Sequence, residues 1–455
     1  MKKKFLILML AFFIGLPCTL ALSACGDKGN VTPKPVALTE NMISLEYNYA
    51  FYNGLAKEPE VTVIVNKSVV SENEYSVVYS NNINAGMAEV VVSANTDSNV
   101  ISGSASKTFT INSTRTSIET YEDLKTVISN DNYSSISLTT DLTIPVGETL
   151  TIPQNKTLSC GNYKLINNGT LVNNGKIQIN VDSKEELVDA FEYANSITLT
   201  NDIELNGSPL VIDASTRSYS IDLDLNGFSI LGYFKIYAKS TYQANINVKN
   251  FFTEDNINKS TIGVTDDTKC QYGLAAFGGN VNLTLFGVNL VGYYGGIATN
   301  GNYEGSTISA TRCTFTGVST EIGNNSGVGA YLPAKNSYTF TSCKFEGSSA
   351  YYAKSGTHTL TNCEFVATQS TYQVPSHYGS GGNATGSALI VDSSQGYKTP
   401  LILTLYNGTF KSVAGYGIEE YCSGDVEDYS TTNYYGEMSY NTAKDNVKVW
   451  DSPAN

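Results

Sequence analysis

Between Val281 and Ser412 the chain repeats one short phrase: "VNLTLFGVNLVG", "ISATRCTFTG", "YTFTSCKFEG", "HTLTNCEFVA" and "LILTLYNGTFKS". Aligned, the copies form columns. Leu283, Ile308, Tyr338, His358 and Leu403 share one, and Leu285, Ala310, Phe340, Leu360 and Leu405 share the next. Three residues on stand Val288, Cys313, Cys343, Cys363 and Gly408, followed two residues later by Leu290, Phe315, Phe345, Phe365 and Phe410. Thr284, Ser309, Thr339, Thr359 and Thr404 separate the first two columns. Side chains on a strand alternate between faces. Each phrase therefore reads as two short strands, inward-outward-inward, joined by a two-residue corner such as Thr341-Ser342.

From Leu290 through each Phe to Phe410 the spacing is 25, 30, 20 and 45 residues. Helical repeats and propeller blades hold tighter periods. Constant strands with variable connections suit a parallel β-helix, where loops bulge at the corners while the strands stack. A third strand per coil is visible in "GGIAT" (295–299), "GAYLP" (329–333), "SAYYA" (349–353), "SALIV" (387–391) and "YGIEE" (416–420). One coil cannot bury its apolar side alone, and stacking makes a continuous core. The recurring Phe is then a rung in a ladder of rings about 4.8 Å apart. The cysteines of the neighbouring column read as small buried thiols in reduced form. Cys160, Cys270 and Cys422 have no assignable partner.

Two upstream segments, "ETYEDLKTVISNDNYSSISLTTDLTI" and "VDSKEELVDAFEYANSITLTNDIEL", look like copies of one another. Each opens a short amphipathic helix with a capping box, Thr120 with Asp123 and Ser183 with Glu186. Leu124, Val127 and Ile128 in one, and Leu187, Ala190 and Phe191 in the other, give the buried faces. These helices are expected to cap the N-terminal end of the coil. Over roughly residues 113–425 the chain resembles the right-handed parallel β-helix proteins of the pectate-lyase-like superfamily. That superfamily includes polysaccharide lyases, glycoside hydrolases and non-catalytic surface adhesins, so the resemblance implies a fold and leaves the activity open. Residues 426–455 read as a C-terminal cap or tail, with "VKVW" a candidate last strand.

The N-terminus, "MKKKFLILMLAFFIGLPCTLALSAC", has the charged start and apolar run of an export signal. Its end, "LSAC", resembles the bacterial lipoprotein signal box. The resemblance implies cleavage of residues 1–24 and a lipid on the Cys25 thiol, hence a chain tethered outside the cytoplasmic membrane or on the envelope surface. No other run approaches the roughly 18 apolar residues a membrane span needs. Residues 25–42 read as a flexible tether. Residues 43–112 carry short alternating runs, and the turn "YSNNINAG" with Tyr52, Gly54, Pro59, Tyr75 and Phe109 resembles a bacterial immunoglobulin-like repeat. That resemblance implies a small β-sandwich spacer. The expected fold class is all-β: sandwich, then solenoid.

Chemistry is sparse. The net charge is −14, and Arg115, Arg217 and Arg312 are the only arginines. This balance argues against nucleic acid or anionic lipid as partners. With two histidines and no C-x-x-C or H-x-x-H spacing, neither a metal nor another cofactor is expected. A lyase of this fold needs a strong base beside clustered carboxylates. Arg312 falls at a corner, while Lys335, Lys344, Lys354, Lys398 and Lys411 are scattered. Glu419 and Glu420 are adjacent on a strand and face opposite ways. Lys344 and Glu364 fall in one outward column as an expected exposed ion pair. No catalytic residue is assigned.

The widest insertion, residues 366–386, carries Tyr372, His377 and Tyr378 among Gly and Ser, a candidate surface for stacking on sugar rings. The expected function is a non-enzymatic surface lipoprotein, anchored to the membrane by lipid and presenting a β-helix for adhesion, glycan contact or envelope structure. The alternative is a polysaccharide lyase or glycoside hydrolase of the same fold.

Overall fold

The computed structural model describes residues 34–52, 56–130, 133–239, 241–250, 260–264, 270–320, 327–375, 383–393, 400–421 and 430–450. Cys25, His377 and Tyr378 lie outside the described residues, as does Cys422. The chain divides into two compact units, Met1–Ile111 and Asn112–Asn455.

The first unit is a small β-structure with its own core. Ile43–Leu45 pairs antiparallel with Val61–Val65, and Tyr75–Ser80 pairs antiparallel with Gly86–Ala94. Alternation along these strands sends Val63, Val90 and Val92 inward, and Phe109 of the adjoining strand Ser104–Ile118 meets them there; each is essentially inaccessible. The Tyr75 hydroxyl donates to the Val61 carbonyl at 3.1 Å and ties the two strand pairs together.

The second unit is a parallel β-helix, and the repeated strand columns are in register. Leu283, Ile308, Tyr338, His358 and Leu403 are successive partners across neighbouring strands. Leu290, Phe315, Phe345, Phe365 and Phe410 are likewise successive partners. The Phe rings stack nearly parallel at 5.0, 5.4 and 5.0 Å, and Tyr440 continues the file 5.1 Å beyond Phe410. Phe340 and Tyr351 meet Phe345 edge-on, so the ladder is braced from the side as well as along its length. The third strands form a separate nine-stranded parallel sheet running from Leu210–Ala214 to Val447–Val449.

The corner between the first two strands requires a left-handed residue. Arg312, Ser342, Asn362 and Asn407 occupy it with φ of 55°, 54°, 54° and 57°. Asn tolerates this region better than other side chains because its short amide bonds locally. Here the Asn407 Nδ2 donates to Asn362 Oδ1 at 2.9 Å, linking one coil to the next. At the start of the third strands backbones nearly touch. A Cβ on Gly296 would lie 2.6 Å from Thr316 N, and one on Gly329 would lie 2.5 Å from the Ala350 carbonyl oxygen.

Helices α1 (Tyr121–Ile128) and α2 (Lys184–Tyr193) begin at the expected caps. Thr120 Oγ1 accepts from Asp123 N at 3.1 Å, and Ser183 Oγ accepts from Glu186 N at 3.4 Å. Leu124, Val127, Ile128, Leu187, Ala190 and Phe191 are buried in the solenoid core. Two outcomes differ from the sequence reading. Lys344 and Glu364 are register partners, yet Lys344 pairs with Glu346 on its own strand at 2.6 Å, while Glu364 pairs with Lys411 of the following coil at 2.5 Å. Side chains two apart on a strand share a face, so the long Lys344 side chain reaches the intrastrand carboxylate as well as the cross-coil one. Residues 430–449, which lack the phrase, nonetheless add another coil. Ser430–Thr442 pairs along Leu401–Ser412, and Val447–Val449 pairs with Ile418–Tyr421. Edge exposure relaxes the need for apolar residues there: Tyr434 and Tyr435 lie open to solvent.

Candidate functional site

A cleft of about 940 Å³ lies beside α2. It is lined by Tyr163, Tyr193 and Tyr219 together with Asn162, Asn180 and Glu186. The capping of α2 shapes it. Arg217 donates to the carbonyls of Glu192 and Phe191 at 2.8 and 3.1 Å and pairs with the Glu192 carboxylate at 2.9 Å. A cation at a helix C-terminus satisfies carbonyls that have no partner within the helix. The Arg217 guanidinium also lies over the Tyr219 ring, 4.4 Å from its centroid. Phe191 stacks on Phe234 and fixes the helix from its buried side.

At the mouth, Lys164 pairs with Glu186 at 3.0 Å, and Glu186 also accepts from the backbone N–H of Asp182. Burial pushes the Glu186 carboxyl up, but Lys164 and that N–H outweigh it, leaving the group below the usual carboxylate range. Asn180 Nδ2 donates to Asn162 Oδ1 at 2.7 Å, which presets two amides on the wall. Tyr163 is 39% exposed and offers its ring to solvent.

A second concentration of polar groups lies on the outer face of the nine-stranded sheet. Alternation sends Tyr351, Leu389 and Ile418 into the solenoid core, while Tyr352, Ile390 and Tyr421 join a separate outer cluster. Lys354 Nζ is 2.5 Å from Asp392 Oδ2, and both side chains are fully buried. The Tyr352 hydroxyl donates to the same oxygen at 2.8 Å and lies 2.9 Å from the Tyr421 hydroxyl. Burial is the first cause holding both phenols well above their ordinary pKa, with the Asp392 charge adding to it.

Glu419, also fully buried, accepts from Tyr372, Thr385, Ser387 and the Trp450 indole at 2.5 to 3.0 Å. Glu420 faces the other way and accepts from Thr432 and Tyr434. The described ends of the wide insertion therefore cover the sheet. Tyr372 is half-buried: its hydroxyl is held by Glu419, its ring meets Tyr416 edge-on at 5.4 Å, and Lys444 lies over both rings. Burial and the Glu419 carboxylate raise its pKa. Lys354, Asp392 and Glu419 supply the base and carboxylates of a catalytic cluster by residue type, but a polysaccharide does not reach fully buried groups.

Among the described residues, no three His, Cys, Asp or Glu side chains gather as a metal site would. Cys160, Cys270, Cys313, Cys343 and Cys363 are reduced and buried. Sequence reasoning passed over the cleft, whose walls come from segments outside the repeated phrase. It also passed over Asp392, although "SAYYAK" and "SALIVD" align residue for residue and place Lys354 beside it. No known family model, curated protein or solved structure matches this chain.

Proposed function

We propose that this protein is a bacterial cell-surface lipoprotein, anchored by lipid at Cys25, that contacts glycans without cleaving them. In this reading an immunoglobulin-like unit spaces a right-handed, pectate-lyase-like β-helix from the membrane. The cleft beside α2 is the contact site, rather than the Tyr372 insertion. The observation that carries the reading is the lining itself: tyrosine rings beside preset amides and a carboxylate, in a space of about 940 Å³. Aromatic faces cover the apolar faces of sugar rings, and planar polar groups bond the hydroxyls. The rim carries Glu185, Glu186, Asp189 and Glu192 against Lys164 and Arg217. That excess of negative charge favours neutral or amino-substituted sugars over uronates. The burial of Lys354, Asp392 and Glu419 supports binding over cleavage.

A glycan array probed with residues 43–455 tests this. Retention on neutral or amino glycans, lost in Tyr163→Ala and Asn180→Ala variants of unchanged thermal stability, is the expected result. A blank array retires the glycan reading. New reducing ends or unsaturated products from acidic or neutral polysaccharides, with or without calcium, would overturn the non-cleaving part.

A further inference from the structure

The pair Lys354 and Asp392 has features that a structural ion pair does not require. Ala353 and Val391 are register partners, so the residues that follow them stand directly opposite on adjacent coils. Both side chains are fully buried beside the Tyr331, Tyr352 and Tyr421 rings, and the amine nitrogen touches one carboxyl oxygen. Removing two charges from water is costly, and pairing them repays that cost only in part. An amine and a carboxyl that the fold holds in contact are the two halves of an amide bond, already brought together.

We propose that Lys354 and Asp392 condense spontaneously into an intramolecular amide that staples two successive coils. The Lys354 nitrogen attacks Asp392 Cγ, forming the Nζ–Cγ bond. Oδ2, which both the amine and the Tyr352 hydroxyl contact, takes two of the three ammonium protons and leaves as water, and Oδ1 remains as the amide carbonyl. The Cγ–O bond is the one broken, and nothing is oxidised or reduced. Two buried charges are replaced by one neutral amide, and no external reagent enters. The Tyr421 hydroxyl, which contacts that of Tyr352, positions the donor.

Peptide mapping of the purified full chain by mass spectrometry decides the matter, because it is insensitive to processing at the N-terminus. The expected result is a branched peptide joining the Lys354 and Asp392 segments, lighter than the sum of its two parts by one water, with trypsin failing to cut after Lys354. An Asp392→Asn variant should release ammonia instead and give a branched peptide of identical mass to the wild type. Lys354→Arg should give only linear peptides. Linear peptides from the wild-type chain, with cleavage after Lys354, would overturn the proposal whatever the variants do.

Discussion

The ring of Tyr338 lies nearly parallel to the imidazole of His358 inside the solenoid, with centroids 4.4 Å apart. His358 Nε2–H donates to the Ser355 carbonyl at 2.8 Å, and Nδ1 accepts from the Tyr351 hydroxyl at 2.7 Å. Both bonds are made by a neutral ring. Desolvation depresses its pKa from 6.5 to about 4, against the smaller opposing effect of the Ser355 carbonyl.

The sign follows from linkage. Between pH 6.5 and 4 the unfolded chain binds a proton at His358 that the native chain refuses, so stability is complete above this window and falls as the pH is lowered through it. By pH 4.5 the loss from this residue is about 2–3 kcal/mol. A His358→Phe variant should be less stable at pH 7.5, by about 1–3 kcal/mol, since it strands the Tyr351 hydroxyl. Its acid sensitivity should nevertheless be shallower. Urea midpoints measured from pH 7.5 to 4.5 report both effects, and parallel profiles for the two proteins would refute the assignment.

Phe345 occupies the middle of the stacked file and is braced by Phe340 and Tyr351. Phe345→Ala should cost about 4 kcal/mol, because a cavity between rigid coils cannot collapse. Phe345→Leu restores the residue type found at Leu290 in the same column and should cost about 1 kcal/mol. Thermal denaturation separates the two. Equal losses would mean that the aromatic ring rather than the filled volume sets stability at this rung, and would refute the cavity account.

The left-handed corner makes a prediction of opposite sign. Ser342 sits at φ 54° without an amide, directly before Asn362 in the stack. Ser342→Asn should stabilise the chain by about 0.5 kcal/mol and extend the Asn362–Asn407 ladder by one rung. Ser342→Val should destabilise it by about 1–2 kcal/mol, since a β-branched residue resists this region. Chemical denaturation resolves the difference, and a stabilising valine would contradict the corner geometry.

The thiols test burial directly. Cys343 and Cys363 donate to the carbonyls of Ala310 and Phe340 on preceding coils, each at 3.5 Å. Burial pushes the Cys363 thiol up to about 11 and Cys160 to about 12, which leaves almost no thiolate at neutral pH. N-ethylmaleimide should therefore leave Cys160, Cys343 and Cys363 unmodified in the native chain and label all three after denaturation. Native labelling of Cys343 would count against the packing described.

The solenoid was legible because its physics is local and repeated: period-two alternation and a recurring ring fix register without reference to any distant contact. The helix caps were legible for the same reason, since Thr120 and Ser183 act within one turn. The cleft was not, because Tyr163, Tyr193 and Arg217 belong to three different segments that only the coil brings to one wall. The Lys344 partner was misjudged because register alone does not choose between two carboxylates on one face that a long, exposed lysine side chain can both reach. The buried ion pair lay between these cases. Its two halves align when the third strands are compared, but nothing in the sequence says that the outer face of that sheet is covered.

Phe315 and Phe345 are separated by 30 residues, and Phe345 and Phe365 by 20, yet the rings stack at 5.0 and 5.4 Å. The interior does not register how long the excursion between two rungs has been, and closing a longer loop costs only slightly more. Selection on the surface is thereby uncoupled from selection on the core. New segments can be inserted at the corner after Gly317 while every rung beneath stays unedited.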